Sequence, residues 1–219
     1  MMKYTMPAIS GLLLMSATVA AEPSRVIMVG NFAEGDKSGW EEQEFKGKTS
    51  YTITPGKKGN QSLHVRSAAS ASGLHKRVSI DLAKTPYLNW AWKVGNTLKG
   101  VDETTKKGDD YPIRIYVVLS GGLFFWKTQA LNYVWSSSDR PRDDSWTNAY
   151  TEHVKMVAVD SGGGNVGNWV AHKRNVREDF KRYFGKEIDH IDAVAIMADT
   201  DNSGQSATAN MGNVFFSSE

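Results

Sequence analysis

The residues of this chain best suited to chemistry form two acidic groups, Asp109-Asp110 and Asp199-Thr200-Asp201-Asn202-Ser203-Gly204. In the second, oxygen-bearing side chains at positions one, three and five precede a glycine at position six. That is the opening half of a calcium loop, with Asp199, Asp201 and Ser203 as ligands. The match ends there, because position twelve is Asn210 rather than a bidentate glutamate and the flanking segments read as strands. The alternative is a turn in which Asp and Asn side chains cap their own backbone. Asp109-Asp110 stands just before Arg114. A carboxylate there would pair with the guanidinium, hold a metal, act as general acid or base, or simply charge a turn. Calcium is the one cofactor these residues suggest.

Aromatic residues supply a second kind of chemistry. The chain has 7 tryptophans, and aromatic faces with a polar handle stack on sugar rings. Strand alternation decides which of them share a face. Over 112–119, Ile113, Ile115 and Val117 must face the core, which turns Arg114 and Tyr116 outward or into a groove. Trp90 and Trp92 align with Leu88 and Val94, and Tyr133 and Trp135 align with Leu131. One reading lines a concave sheet with Trp90 or Trp92, Arg114, Tyr116, Tyr133 and Trp135. The other places Trp90 and Trp92 in the core. Together with Asp109, Asp110, Asp199, Asp201 and Asn202, these residues make a candidate site for a glycan or small polar ligand.

Other chemistries find little support. The five histidines are not spaced as a metal pair on one element, no Gly-x-Ser-x-Gly elbow occurs, and Ser161–Gly167 is not a phosphate loop. The absence of cysteine removes thiol nucleophiles, thiolate metal sites and disulfides. With 26 Lys+Arg against 24 Asp+Glu, the chain lacks the basic bias of a nucleic-acid binder.

The elements that must position these residues read as β. Segments 25–29, 49–54, 62–67, 74–80, 88–94, 112–119, 130–135, 154–159, 169–173, 191–198 and 209–216 are rich in Val, Ile, Tyr and Trp and are separated by Gly, Ser, Asn and Asp clusters. One helix interrupts them over 176–184: Asn175 with Glu178 reads as a capping box, Val176, Phe180 and Phe184 form one apolar stripe, and Gly185 is the stop. The polar side of this helix, Asp179 included, is expected to face water. The spacing predicts an all-β jelly-roll sandwich with one short helix.

The first 21 residues read as a signal peptide. Lys3 precedes an apolar run, and Val19-Ala20-Ala21 offers small residues for cleavage. The apolar part is too short to span a bilayer comfortably. No later segment reads as a membrane helix, so a single domain over 22–219 in the periplasm or outside the cell is expected.

Several segments carry a resemblance. Gly30-Asn31-Phe32, Gly39-Trp40 and the closing pair Val194–Ile196 and Gly212–Val214 are similar at fold level to galactose-binding-type carbohydrate-binding jelly rolls. In such folds an aspartate near the end often helps hold a structural calcium, and Asn213 stands in its place here. A fuller resemblance, over nearly all of the chain after the leader, is to the bacterial exported family named domain of unknown function 3047. It rests on Leu88–Val94 (LNWAWKV), Lys107–Asp110 (KGDD), Arg114–Val118 (RIYVV), Tyr133–Trp135 (YVW), Phe184-Gly185 and Ala195–Asn202 (AIMADTDN). That resemblance implies export; the family has no assigned activity, so no catalytic residue is carried over from it.

The sequence therefore leads to an exported binding protein for a glycan or cell-envelope saccharide. One alternative is a polysaccharide hydrolase or lyase that pairs Asp109 or Asp110 with Asp199 or Asp201. The other is an envelope scaffold. Oligomeric state is not read from it.

Overall fold

Apolar residues at every second position fold this chain into two sheets with one core between them. The structure is a computed structural model that describes residue 1 and residues 24–56, 59–123 and 127–219. The leader read over residues 1–21 falls outside the described residues apart from Met1. Numbered along the chain, the strands are β1 (Val26–Gly30), β2 (Glu41–Lys46), β3 (Ser50–Pro55), β4 (Gln61–Ala68), β5 (Ala71–Asp81), β6 (Tyr87–Val94), β7 (Tyr111–Leu119), β8 (Gln129–Ser136), β9 (Ser145–Thr147), β10 (Val154–Ser161), β11 (Val170–Asn175), β12 (His190–Asp199) and β13 (Ser206–Ser217). Helix α1 spans Val176–Phe184.

One sheet has six strands in the order β11-β6-β13-β4-β3, with β1 also on β13. The other has seven, β2-β5-β12-β7-β8-β10-β9. Apart from the parallel β8–β10 pair, the ladders are antiparallel. The result is a jelly-roll-type β-sandwich with one helix. Strand β6 shows the rule most plainly: Leu88, Trp90, Trp92 and Val94 are buried, while Tyr87, Asn89, Ala91 and Lys93 are partly exposed. Facing them across the core are Ile113, Ile115 and Val117 of β7 and Val194 and Ile196 of β12.

The helix forms where expected. The Asn175 side chain accepts the Glu178 N–H at 3.1 Å, and Gly185 ends it in the left-handed conformation at φ 65°. Val176 and Phe180 enter the core. Asp179 does not face water. It is buried and receives the Tyr133 hydroxyl at 2.8 Å and a two-pronged Arg174 contact at 2.8 Å per arm. Such a fork matches carboxylate geometry, and it draws the helix's charged side inward at this point.

Two strands escape the sequence pattern. β2 is EEQEFK, exposed along its whole length as an edge strand, and β9 is three residues long. Both flank the site described next.

Candidate functional site

Strands β7 and β12 lie side by side at the middle of the seven-stranded sheet, with Arg114 opposite Met197. Ile113 and Ile115 face inward, so Arg114 emerges on the outer face, and Met197 and Asp199 emerge beside it. Arg114 Nη2 donates to Asp199 Oδ2 at 2.5 Å, and Arg114 Nη1 lies 3.8 Å from Asp109 Oδ1. The guanidinium carbon sits 4.8 Å from the Tyr111 ring and 5.3 Å from the Tyr116 ring.

Burial sets the electrostatics. It pushes the Asp199 carboxyl well above the usual carboxylate range, against the pull of Arg114. Burial is the largest single influence on Arg114 and opposes its charge, but Asp199, Tyr116, Asp109 and Tyr111 together outweigh it and raise the guanidinium further. The Tyr116 hydroxyl is raised by burial as well. Arg114 Nε and Nη1 and Asp199 Oδ1 have no hydrogen-bond partner within the protein. Buried polar atoms left in that state cost about 1–3 kcal/mol each.

Two loops complete the surroundings. Both Asp109 oxygens accept from Asn148 Nδ2 at 3.1 Å. Asp110 accepts the Asn202 N–H at 3.2 Å and the Ser203 N–H at 2.6 Å, so one acidic group caps the backbone of the other. Thr200 anchors that loop to the strand below, through its N–H to Ser70 O at 2.9 Å and its hydroxyl to Ser67 at 2.8 Å.

The pocket so formed holds about 450 Å³. Arg114, Asp109, Asp199 and Met197 are its buried lining. Phe45 is 68% exposed and comes from β2, the first strand in the sheet order; Tyr150 is 56% exposed and follows β9, the last. Two aromatic rings thus reach the same pocket from opposite sides of the sheet. A smaller apolar groove of about 370 Å³ continues from Phe45, Tyr116 and Met197 toward His75.

Of the residues singled out in the sequence, Asp109, Arg114, Tyr116, Asp199, Asp201 and Asn202 line this pocket, and Asp110 supports it. Of the five aromatic candidates, Trp90, Trp92, Tyr133 and Trp135 do not. Trp90 stacks on Tyr133 at 5.5 Å inside the core, Trp92 donates to Asp160 at 2.6 Å, and Trp135 donates to the Gly162 carbonyl at 3.1 Å. The reason is register. Tyr133 stands opposite Ile115 and shares its inward face, whereas Arg114 stands opposite Val134. Phe45, Lys46, Asn148 and Tyr150 escape sequence reasoning, because β2 and β9 carry no apolar alternation. Met197 was legible, two residues before Asp199 on the same face of β12.

The calcium reading of Asp199, Asp201 and Ser203 changes as well. Asp110 replaces Ser203: one carboxylate oxygen each from Asp110, Asp199 and Asp201 lie within 4.8 Å of one another. Arg114 pairs with Asp199, Lys46 lies 3.4 Å from Asp201, and both Asp110 oxygens accept backbone N–H groups. These three carboxylates are engaged by the protein's own cations and amides, with Asp199 Oδ1 left without a hydrogen-bond partner, and fall short of the six to eight oxygens calcium takes. At the other calcium position of related jelly rolls, Asn213 Oδ1 accepts the Ala33 N–H at 2.8 Å.

Residues 38–215 match the family described as "Protein of unknown function (DUF3047)". The chain belongs to that family. No curated protein sequence matches it. Among solved structures, this DUF3047 chain is similar to the family 11 carbohydrate-binding module of a cellulosomal cellulase of Clostridium thermocellum, at 13% identity and TM-score 0.47, over 90% of this chain and 95% of that one. It is also similar to the family 30 module of another cellulosomal cellulase of that organism, at 12% identity and TM-score 0.47, over 83% and 92% of the two chains. A mutant of a family 29 carbohydrate-binding module aligns at 7% identity and TM-score 0.43, over 90% and 93%. Among the described residues of the DUF3047 chain, no helix is long and apolar enough to cross a membrane.

Proposed function

We propose that this chain is an exported saccharide-binding domain, formed by residues 22–219, whose site is the pocket around Arg114. The observation that carries this reading is the pairing of two exposed rings, Phe45 and Tyr150, with a polar floor in one pocket. Exposed aromatic rings bury sugar C–H faces, and Arg, Asp and Asn side chains hydrogen-bond the hydroxyls at the ring edge. Asp109, Asp110, Asp199 and Asp201 outnumber Arg114 and Lys46, so the pocket suits a neutral saccharide rather than an anionic one. The leader-like sequence of residues 1–21 supports export to the periplasm or beyond, where cell-envelope glycans lie.

Affinity electrophoresis through neutral polysaccharides, including mixed-linkage β-glucan, galactan and dextran, tests the reading. Retardation is expected in at least one gel, and it is expected to disappear in the Phe45→Ala/Tyr150→Ala double variant. No retardation in any of them, or retardation that survives the double substitution, rejects it.

One observation favours a second reading as an enzyme. Asp199, with its raised carboxyl, lies among other carboxylates, and an acid beside a carboxylate is the arrangement of a glycosidase. Release of new reducing ends from a retained polysaccharide, abolished by Asp199→Asn, would establish that reading over simple binding.

A further inference from the structure

A second groove lies on the opposite side of the sandwich, on the outer face of the six-stranded sheet. It holds about 780 Å³, against about 450 Å³ for the Arg114 pocket. Its floor is kept low by Ala91 of β6 and Gly212 of β13. Gly212 sits where β13 slips register between Met211 and Val214, and a bulge of this kind re-aims the neighbouring side chains. Trp169, just before β11, stands beside this floor and is 49% exposed. A loop contact holds it there: the Gly167 N–H donates to the Val94 carbonyl at 2.8 Å, bringing the segment onto the end of β6.

Polar groups surround the ring. Lys93 Nζ lies 5.6 Å from the Trp169 ring centroid, and Asn210 Nδ2 donates to Ser62 Oγ at 3.1 Å. Among the described residues, Lys93 is the one charged residue lining the groove. The sheet around it has the same sign. The outward positions of β3, β4, β6, β11 and β13 include Arg66, Lys93 and Lys173, and no strand of this sheet contains an Asp or Glu. The Arg114 pocket on the other sheet has the reverse balance.

We infer that the Trp169–Lys93 groove is a second saccharide site, and that its ligand is an acidic sugar chain such as a polyuronate. The indole gives a ring-stacking surface, Asn210 and Ser62 face the sugar hydroxyls, and Lys93 meets the carboxylate. A half-exposed Trp is also the side chain whose loss most often removes binding. This site stands on different residues from the Arg114 pocket and does not depend on it.

Affinity electrophoresis of the full chain in alginate and polygalacturonate gels tests the assignment. Retardation is expected in at least one of them and should weaken as salt is raised. Trp169→Ala is expected to weaken apparent affinity about tenfold or more, and Lys93→Gln to reduce both affinity and its salt dependence. Gly212→Leu supplies a variant of independent construction. A Cβ there meets Ala91 O at 3.4 Å, the Trp169 ring at 3.7 Å and Ala91 Cβ at 3.8 Å, nothing closer, so the fold accepts it while the longer side chain fills the groove. Phe45→Ala/Tyr150→Ala should leave alginate or polygalacturonate binding unchanged, which separates failure of this site from failure of the first. The inference is overturned if neither polyuronate retards the protein, or if retardation survives both Trp169→Ala and Gly212→Leu. Equal retardation by a single-stranded DNA oligonucleotide would make the face a general anion binder and overturn the saccharide assignment.

Discussion

Arg114 and Arg174 are both buried, both paired with an aspartate, and both laid against a tyrosine ring. They differ in how many of their donors the protein uses. Arg174 commits its whole fork: Nε and Nη2 to Asp179 at 2.8 Å each, and Nη1 to Asp143 at 2.5 Å. That clamp ties β11, α1 and the loop before β9 together and holds Asp143 at φ 65°, a conformation non-glycine residues rarely adopt. Arg114 commits only Nη2, to Asp199 and weakly to Met197 Sδ at 3.3 Å. Its Nε and Nη1 have no acceptor, and it lines a pocket. Every nitrogen of the Arg174 guanidinium is paired within the protein, which makes it a structural staple, whereas two of the three in Arg114 are not, and Arg114 lines a cavity.

The largest expected effect falls on the staple. Arg174→Met leaves Asp179 buried beside the Tyr133 hydroxyl without its cation. Removing one member of a buried pair costs about 3 kcal/mol or more, to be read from urea denaturation midpoints at constant slope. Retention on the neutral polysaccharide should be unchanged for the folded fraction. If Arg174→Met weakens binding instead of stability, the contrast between the two arginines fails.

Arg114→Lys should show the opposite pattern. The charge is kept and the planar fork is lost, so apparent affinity for the retained neutral polysaccharide should fall about tenfold. The unfolding free energy should move by less than it does in Arg174→Met, and the same two measurements decide it.

The smallest effect is in pH. Burial raises the folded Asp199 carboxyl above its unfolded value. Its proton-linked stability is therefore complete below the ordinary carboxylate pKa of about 4 and is lost as pH rises through the raised folded value. Asp199→Asn lacks that dependence. The Tm of the wild type minus that of Asp199→Asn should be greatest at acid pH and shrink toward neutrality. A difference that stays flat would show that folding leaves the Asp199 pKa unchanged, and one that grows with pH would show that Arg114 holds Asp199 ionised; either overturns the prediction.

The sequence makes the fold more legible than the site. Strands such as LNWAWKV and RIYVV declare their inward faces by alternation, and the Asn175 and Gly185 caps mark both ends of the helix. The polar floor is legible for the same reason, because inward Ile113 and Ile115 force Arg114 outward and Asp109-Asp110 leads directly into that strand. The aromatic walls are not. Trp90, Trp92, Tyr133 and Trp135 are chemically suited to a sugar site, but register places them inside, where Trp92, Trp135 and Tyr133 meet Asp160, Gly162 and Asp179 and the Trp90 N–H has no hydrogen-bond partner within the protein. The rings that reach the pocket sit on elements without an apolar pattern: Phe45 closes a run of charged residues, and Tyr150 lies in a loop. Asp179 misleads in the same way, since nothing local to its helix shows that Arg174, five residues earlier, turns back to meet it.

The strand order of the six-stranded sheet also governs how the molecule can assemble. β13, the last strand, lies between β4 and β6 and also carries β1 along its end. β4 and β6 have no direct ladder with each other, so the centre of this sheet closes only when the C-terminal segment arrives. Each sheet has a local pair that can form before then, β3–β4 in the six-stranded sheet and β7–β8 in the other. Pairings of such long sequence separation meet a large closure entropy before any contact rewards it. For a chain made from its N-terminus, the Trp169 face is therefore completed last, and the loss of β13 would cut that sheet in two rather than trim its edge.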